Sequence, residues 1–422
     1  MADFPAQGAN FNTWGTDYAN FFTNTYYLSG ANGGKLKHII DVDTIITVRT
    51  SGGDYTTVPL ALASLKGKWI NDDVTVTIEV EDGTFNHTAA IVPKHPCGGR
   101  ISIVGTNTYV KSLTSIQSSS GSAGAWSIIL NLNNVTDIAT NDYVLIRATS
   151  GGTLPEYLQG AHKVTNVDSG NGRITVASKH KNASAPSGAV VSSSVTVVKT
   201  ILTFTGGIHG IAVGAPYTLG NLDKVVLEGG AASGYHGIIT GIKDGTTGSI
   251  GGSIYCGTTV GVVNFNRGML ALNGEIAAAY CMASGNTGIG FSATQEGYLE
   301  VPYSVSSGNS SDGFNAYQGG TVTANNSVST GNSLQGFYNG IGCFLNANTC
   351  VSAGNLANGF LTEFGGSMEA ISASSINNTV WGYYTGRRGY MLATSSTASG
   401  NGSGSYSPSV DTQGNEYAYI DT

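Results

Sequence analysis

The chain has 422 residues, of which 11% are charged and 61 are glycine, and its formal net charge is −7. Ordinary globular domains have about 25% charged residues, so the charged fraction is unusually low. The many glycine, serine, threonine and asparagine residues match a fold built from turns. The acidic balance and the absence of any basic run argue against a nucleic-acid partner, and no apolar run approaches the roughly 18 residues of a membrane-spanning helix.

Residues 1–36 are rich in aromatic and turn-forming residues. Aromatic residues with helical spacing, from Trp14 to Phe22, precede the glycine-rich stretch Gly30–Gly34. This pattern predicts a short helical segment followed by a hinge. Two interpretations stay open: a cap packed on the first coil of the fold, or an arm that docks on another protein. Because the N-terminus lacks the basic and apolar regions of a signal peptide, we expect synthesis without secretion.

Residues 37–110 are predicted to begin a β-rich solenoid. The stretch Thr56–Leu65 predicts a short amphipathic helix that closes the open end of the fold, and Val74–Val80 alternates as a strand. Residues 111–200 are predicted to form an inserted antiparallel β subdomain, because strand-like segments there are joined by a hairpin signal at Asp168–Gly172. The insertion is interpreted either as a structural flap or as a surface that contacts a glycan or a partner.

Residues 201–422 are predicted to form the main part of the solenoid. Between Gly274 and Tyr406 the sequence repeats every 23 residues, and equivalent positions form columns of like residues. The asparagine column comprises Asn286, Asn309, Asn332, Asn355, Asn378 and Asn401. The aromatic column comprises Phe291, Phe314, Phe337, Phe360, Tyr383 and Tyr406. The aliphatic column comprises Ile276, Leu299, Val322, Leu345, Met368 and Met391.

This period predicts an all-β fold, a right-handed parallel β-helix. About 23 residues accommodate three strands of about five residues with their turns, which is one coil of a three-sided solenoid. Stacked coils lie about 4.8 Å apart, so the aromatic column becomes an internal stack and the asparagine column bridges amides from coil to coil. A left-handed β-helix with a six-residue repeat fits poorly, because six does not divide 23.

The five cysteines do not indicate a disulfide framework. They are Cys97, Cys256, Cys281, Cys343 and Cys350. Cys281 and Cys350 share a column, but three coils separate them by roughly 14 Å, which is too far for a bond. We therefore expect buried thiols.

Outward positions of the predicted strands carry many tyrosine, asparagine, threonine and serine residues, which suit a sugar polymer. Glu275 and Glu300 are the candidate catalytic residues, because their backbones are expected about 8 Å apart on adjacent coils, within the range of about 6.5–9.5 Å for the carboxyl pair of an inverting glycosidase. The candidate substrate-binding residues near this pair are Tyr298, Glu296, Asp312 and Tyr317. Simple solvated strand faces would give the same composition.

A second candidate cluster combines acidic, basic and aromatic residues. Its members are Glu363, Glu369, Tyr384, Arg387, Arg388 and Tyr390. Arginine beside carboxylate could bind an acidic sugar or support proton abstraction by a lyase, and an inter-coil salt bridge is the structural alternative. No calcium-loop spacing, paired histidines or phosphate-binding glycine loop occurs, so we predict neither a metal nor a cofactor.

Several segments resemble those of bacteriophage tailspikes with a pectate-lyase-like β-helix. They are Phe11–Asp17, Val76–Phe85, Arg100–Gly105, Gly160–Asp168 and Asn221–Gly229. The resemblance implies a homotrimer located on the virion, attached to a phage tail or adaptor protein through residues 1–36. It also implies recognition or cleavage of host surface polysaccharide. The chain departs from the pattern in lacking a recognisable C-terminal trimerisation domain.

Three functional hypotheses follow from these observations. The first is a tailspike that binds host polysaccharide and could depolymerise it, as a hydrolase or a lyase. The second is a non-catalytic receptor-binding or structural tail fibre protein with the same fold. The third is a bacterial polysaccharide lyase or hydrolase, which a secretion signal would favour.

Overall fold

The computed structural model shows a rod of stacked β-coils. It describes residues 39–153, 155, 158–181, 190–230, 234–243, 246–247, 251–408 and 419–421. The predicted attachment arm, residues 1–36, lies outside the described residues.

Each regular coil contributes one short strand to each of three parallel sheets. In the coil that begins at Glu275, these strands are Glu275–Ala278 in sheet 1, Met282–Ser284 in sheet 2 and Phe291–Thr294 in sheet 3. Each strand pairs in parallel with its equivalent about 23 residues later. The predicted parallel β-helix is therefore confirmed. A right-handed sense is expected from the general handedness of parallel crossover connections, and it stays a prediction.

Within the described residues, sheet 1 has 12 strands, sheet 2 has 10 and sheet 3 has nine. Sheet 1 comprises Thr44–Val48, Val76–Val80, Ile101–Gly105, Thr218–Asp223, Ser253–Cys256, Glu275–Ala278, Tyr298–Glu300, Thr321–Thr323, Phe344–Asn346, Ser367–Glu369, Tyr390–Leu392 and Tyr419–Asp421. Sheet 2 comprises Gly83–His87, Thr200–Phe204, Val225–Gly229, Val260–Val263, Met282–Ser284, Val305–Ser307, Val328–Thr330, Val351–Ala353, Ser374–Ile376 and Thr397–Ser399. Sheet 3 comprises Ile211–Val213, His236–Thr240, Arg267–Leu272, Phe291–Thr294, Phe314–Tyr317, Phe337–Asn339, Phe360–Thr362, Trp381–Thr385 and Gly404–Pro408.

A short helix, Val58–Ser64, lies at the N-terminal end of the rod, where the sequence predicts one. The Thr57 side chain accepts a hydrogen bond from the backbone N–H of Leu60, and proline stands in the first turn, so the helix begins with favourable capping. Val58, Ala61 and Leu65 are fully buried in the core of the first coils. The remaining short elements are the 3₁₀ turn Gly98–Arg100 and two small pairs, Ile39–Ile40 with Trp69–Ile70 and Ile242–Lys243 with Thr246–Thr247.

The aromatic column forms a continuous stack inside the rod. Successive ring centroids from Phe291 to Tyr406 lie 4.8–5.1 Å apart, and neighbouring rings are within 13° of parallel. The aliphatic column that begins at Ile276 is fully buried beside it. Both columns predicted from the 23-residue period are confirmed. The strand spacing sets the distance between stacked rings, so backbone pairing and ring packing reinforce each other.

The asparagine column forms a buried hydrogen-bonded ladder at the turn between sheets 2 and 3. The side-chain amide of Asn309 donates to the side-chain oxygen of Asn332 at 2.9 Å, and the backbone N–H of Asn309 donates to the same oxygen at 3.0 Å. The same pair of bonds recurs from Asn286 to Asn378. The predicted amide bridge is therefore present, and it satisfies polar groups that burial would otherwise leave unpaired.

The residue before each ladder asparagine must adopt a left-handed backbone. Gly331 has φ of 59°, and the other glycines of this column have similar values. Asn377 stands where the other coils have glycine and has φ of 52°. Asparagine is one of the few residues with a side chain that tolerate this region, which explains why the Gly-Asn repeat continues there as Asn-Asn.

The predicted antiparallel insertion is present as a closed barrel between a sheet 1 strand and a sheet 2 strand of one coil. Its strands are Thr108–Ser122, Ala125–Leu132, Tyr143–Thr153, Gly160–Asp168, Arg173–Ser178 and Val191–Val198. The hairpin predicted at Asp168–Gly172 joins two of them, with Asp168 paired to Arg173. The barrel has its own core, which includes Trp126 and Ile146.

The barrel packs against the outward face of sheet 2. Tyr143 and Leu145 of the barrel belong to one buried cluster with Met282 and Val305 of the β-helix. The backbone N–H of Ala161 donates to the Ser284 hydroxyl at 2.9 Å, which adds a polar contact at the same interface. Arg147 lies over the ring of Tyr280, which in turn stacks on Tyr303 with centroids 4.8 Å apart. The insertion therefore covers one side of the rod.

None of the helices described is long and apolar enough to cross a membrane.

The five cysteines are all free thiols. Cys97, Cys281, Cys343 and Cys350 are buried, as expected, and Cys256 is half-buried. Burial raises the pKa of the Cys350 thiol to about 12. This thiol donates to the backbone oxygen of Ala324 at 2.8 Å.

Truncating the internal ring of Phe337 should destabilise the rod far more than truncating an aromatic ring on its surface. We expect Phe337→Ala to lower the free energy of unfolding by about 3–5 kcal/mol, because it leaves a cavity between two stacked rings. Phe344→Ala, seven residues later on the outward face, is the matched control and should change it by less than about 1 kcal/mol. Urea denaturation followed by circular dichroism measures both. Equal losses for the two variants would contradict the internal stack.

Candidate functional site

The outward face of sheet 1 carries large exposed aromatic side chains. Tyr255, Tyr298, Phe344 and Tyr390 are 43%, 38%, 36% and 41% exposed, respectively. In contrast, the barrel covers much of sheet 2. The first strands of sheet 3 are covered by a segment that includes Ala90 and Val92. Sheet 1 is therefore the face of the described solenoid best placed to receive a large ligand.

Glu275 and Glu300 both lie on this face. Glu275 pairs with Tyr298 on the next coil, and Glu300 follows two residues later, opposite Ala277. The intervening Ile276 and Leu299 are fully buried, so the two glutamates project outwards. The register gives a backbone separation of about 8 Å, and Glu275 is half-buried whereas Glu300 is exposed. Inverting hydrolysis needs two carboxyl groups about 6.5–9.5 Å apart, so this backbone register makes the two glutamates a candidate pair.

A surface depression of about 390 Å³ is lined by Glu275 but not by Glu300. It brings together three of the predicted residues, Glu275, Glu296 and Tyr298. Glu296 reaches it from the turn between sheets 3 and 1, where its backbone has φ of 65°. The other lining residues are Gly251, Gly252, Ser253, Asn273 and Gly274. The depression therefore combines two carboxylates, an aromatic ring and small polar groups, which are the groups that bind sugars.

Asp312 does not join this depression. It lies at the turn between sheets 2 and 3 and is 7% exposed. Its carboxylate accepts hydrogen bonds from the side-chain amide of Asn315 at 2.8 Å and from the backbone N–H of Gln335 at 3.1 Å. Burial raises its pKa to about 6, although these hydrogen bonds and the charge of Arg267 act in the opposite direction. The contacts of Asp312 tie one coil to the next.

Tyr317, Glu363 and Tyr384 lie on or beside sheet 3 and not on sheet 1. Tyr317 is the last residue of the strand Phe314–Tyr317, and its ring is 6.5 Å from that of Tyr338. The Tyr338 hydroxyl donates to the Glu363 carboxylate at 3.2 Å, and Tyr384 is two coils further along the same sheet. Burial raises the pKa of Tyr338, and the charge of Glu363 raises it further.

The remaining predicted residues surround the far end of sheet 1. Glu369 projects from a sheet 1 strand and accepts hydrogen bonds from the side chains of Asn346 at 3.3 Å and Asn348 at 3.5 Å. Arg387 and Arg388 are exposed at the turn that leads into the next sheet 1 strand. The Arg387 guanidinium lies 4.6 Å from the ring centre of Phe364. The second predicted cluster is thus divided between two faces of the rod.

The sequence reasoning missed Tyr255 and Phe344, and it missed Asn273 and Ser253 in the depression. Phe344 could have been found, since it lies 46 residues after Tyr298 and 46 before Tyr390, which is two full periods in each direction. Tyr255 precedes the regular part of the repeat, so the period could not place it. In the residues described, no group of three or more histidine, cysteine or acidic side chains could hold a metal ion.

Replacing Asp312 with asparagine should remove a pH-dependent cost to stability. Because burial raises the pKa of Asp312 from 3.8 to about 6, the folded chain binds this proton more tightly than the unfolded chain. The resulting stabilisation is complete below about pH 4 and is lost as the pH rises through 6. Asp312→Asn should therefore be more stable than the wild type above pH 6, by up to about 3 kcal/mol. Thermal unfolding between pH 4 and 8 measures the difference.

Asn358 shows that asparagine already occurs at the equivalent position of another coil, and it also provides a control for this substitution. It stands two coils after Asp312, and its side-chain oxygen accepts a hydrogen bond from the backbone N–H of Trp381 at 3.0 Å. Asn358→Ala should reduce stability by about 1 kcal/mol at every pH, because it removes an acceptor that does not titrate. If the stability of the wild type and of Asp312→Asn changes with pH in the same way, Asp312 is not the source of the pH dependence.

Two solved structures resemble this chain weakly. No protein-family model matches the chain, and no curated protein matches it. The A-module of the mannuronan C-5 epimerase AlgE6 from Azotobacter vinelandii is 12% identical, with a TM-score of 0.30, over 79% of this chain and 90% of that one. XylC in its complex with xylose is 10% identical, with a TM-score of 0.32, over 82% of this chain and 70% of that one. Likenesses this weak carry no argument about activity.

Proposed function

We propose that this chain binds an extended polysaccharide along the outward face of sheet 1. The observation that carries the proposal is the row of exposed aromatic rings from Tyr255 to Tyr390, with Glu275 and Glu300 within it. Aromatic rings offer sugars a broad apolar contact at a small cost in side-chain entropy. The hydroxyl and amide groups of Thr321, Asn346 and their neighbours supply hydrogen-bond partners beside the rings.

Cleavage of the bound polymer by Glu275 and Glu300 is the second part of the proposal. In inverting hydrolysis, one carboxyl group donates its proton to the glycosidic oxygen as the bond to the anomeric carbon breaks. The other carboxylate takes a proton from a water molecule, whose oxygen attacks the anomeric carbon from the opposite side. Tyr298 lies directly beside Glu275 and would orient the sugar. A lyase would instead use one carboxylate to abstract a proton from a uronic acid and would leave a double bond in the product.

The setting that we propose is a phage tailspike on the virion, a homotrimer attached to the tail or an adaptor protein through residues 1–36. This part rests on the sequence segments that resemble tailspikes, together with the solenoid fold that the resemblance implies. The alternative is a non-catalytic receptor-binding or structural tail fibre protein. The position of Glu300 outside the depression that contains Glu275 and Glu296 favours that alternative.

Incubation with purified capsule and O-antigen polysaccharides should separate these functions. An active spike shortens the polymer, and size-exclusion chromatography detects the oligosaccharides, with ultraviolet absorbance if a lyase has formed a double bond. Glu275→Gln and Glu300→Gln should each reduce the rate about 10²–10⁴-fold, because each removes an acid–base group. Glu81→Gln alters a carboxylate that lies after an early sheet 1 strand, where it accepts a hydrogen bond from the Thr50 hydroxyl at 2.9 Å, and it should leave the rate unchanged.

The possible results of this incubation lead to different conclusions. Intact polymer with tightly bound protein identifies a non-catalytic spike. If both glutamate variants still cleave the polymer at the wild-type rate, the catalytic residues lie elsewhere. A protein that neither binds nor cleaves any surface polysaccharide contradicts the proposed function.

The attachment role of residues 1–36 predicts a separate phenotype. In the full chain, Trp14→Ala combined with Phe21→Ala and Phe22→Ala should reduce incorporation into virions at least about tenfold, since aromatic anchors dominate most protein interfaces. Polysaccharide affinity should stay the same. Quantification of the protein in purified virions measures incorporation, and normal incorporation would argue against attachment through this segment.

A further inference from the structure

We propose that the bound polysaccharide runs parallel to the axis of the rod, with an aromatic ring beneath every second sugar, and that these sugars are uncharged or carry amino groups. This inference rests on the proposed function, since it names the class of polymer that the same face would select. It depends on the column positions of the exposed rings and on the charges between them.

Tyr298, Phe344 and Tyr390 occupy a single column on sheet 1. Tyr298 pairs with Thr321, which pairs with Phe344, and Phe344 pairs with Ser367, which pairs with Tyr390. Large rings therefore alternate with small hydroxyl side chains. Internal rings on adjacent coils are 4.8 Å apart, so successive exposed rings are separated by two such steps, about 9.6 Å.

Tyr255 extends the alternation in the N-terminal direction. It lies two coils before the strand of Tyr298, displaced by two positions across the sheet. Exposed rings thus occur on every second coil from Tyr255 to Tyr390. Glu275 lies on the coil between Tyr255 and Tyr298, so a chain seated on both rings would pass the candidate catalytic pair. On the last coil the register places Tyr419 next to Tyr390, where the alternation ends.

This spacing fits a particular polymer geometry. In an extended β-linked hexopyranose chain, each sugar is turned by about half a turn relative to the one before it. Every second sugar therefore turns the same face of its pyranose ring towards the protein. The length of this disaccharide unit is close to the separation of the exposed rings. A straight chain could place successive equivalent sugar faces on Tyr298, Phe344 and Tyr390 without bending.

The charges on the face favour some sugars over others. No lysine or arginine occurs in the 12 described strands of sheet 1, whereas six acidic residues do. These are Glu79, Asp223, Glu275, Glu300, Glu369 and Asp421. Glu296 adds a further acid at the edge, Arg49 pairs with Glu79 at 4.0 Å near the N-terminal end, and Arg387 and Arg388 lie beside Tyr390. A polyuronate would be repelled by the acidic stretch around Glu275, Glu296 and Glu300, and an amino-bearing polymer would be attracted to it.

Isothermal titration with three β-1,4-linked hexasaccharides tests both parts of the inference. The probes are oligomers of glucose, glucosamine and mannuronate. We expect the neutral and amino probes to bind at least about tenfold more tightly than the mannuronate probe, and the preference for glucosamine should weaken as salt is raised. Tighter binding of the mannuronate probe, or no detectable binding of the neutral and amino probes, would overturn the inference.

A variant that moves one ring tests the spacing itself. Phe344→Thr combined with Thr321→Phe keeps the composition of the face and shifts the ring by one coil. We expect this variant to lose about tenfold in affinity for the better-bound probe, as Phe344→Ala should, because one sugar no longer meets a ring. Phe364→Ala removes an exposed ring outside the column and is the matched control. Unchanged thermal midpoints would show that the folds are intact.

The results separate this inference from the proposed function. If the wild type binds surface polysaccharides but the shifted variant binds as well as the wild type, the periodic stacking is wrong and the binding function stands. If the wild type binds no carbohydrate in either experiment, both fail. Self-association that is lost in Phe344→Ala would instead assign the face to a second copy of the chain.

Discussion

The hydrogen bonding between successive coils is the interaction on which the whole molecule depends. The clearest example is the buried asparagine ladder, in which each amide donates to the residue 23 positions later. Inserting or deleting one residue in a coil would displace every amide beyond it and leave buried polar groups without partners, which costs several kcal/mol. The ladder therefore fixes the length of each coil, and the coil length fixes the position of every surface side chain.

This register turns a sequence period into a surface pattern. Residues two periods apart, such as Tyr298 and Phe344, come to lie in a line on one flat face. The barrel contributes by occupying sheet 2, where Tyr143 and Leu145 pack on Met282 and Val305. With that side covered, the aromatic and acidic residues of sheet 1 form the continuous face that we propose for a polymer. The proposed binding face and the fold thus follow from the same repeat.

The 23-residue period was sufficient to predict the parallel β-helix, its aromatic stack and its asparagine ladder, because all three depend on residues at fixed separations. It could not predict closure of the barrel, which depends on pairing between distant strands, such as Thr108 with Val198. Nor could it show that the barrel packs on sheet 2. The choice of a candidate binding face therefore required the structure.

The structure brings some of the candidate residues together and separates others, and the positions of the turns explain which. Glu275, Glu296 and Tyr298 come together because adjacent columns and a turn place them at one depression. Asp312 resembles an exposed turn residue in the sequence, but neighbouring coils bury it and its carboxylate bonds to Asn315 and Gln335. Glu363 and Glu369 are close in sequence, yet the turn between sheets 3 and 1 separates them. Residues that are close in sequence can therefore lie on different faces of the rod when a turn between two sheets separates them.

An experimental structure of the Glu275→Gln variant bound to an oligosaccharide that it recognises would test the central claim most directly. We expect the sugar chain to lie along sheet 1, parallel to the rod axis, with every second ring stacked on Tyr298, Phe344 and Tyr390. A sugar chain bound on sheet 3, on the barrel, or across the rod would contradict the account.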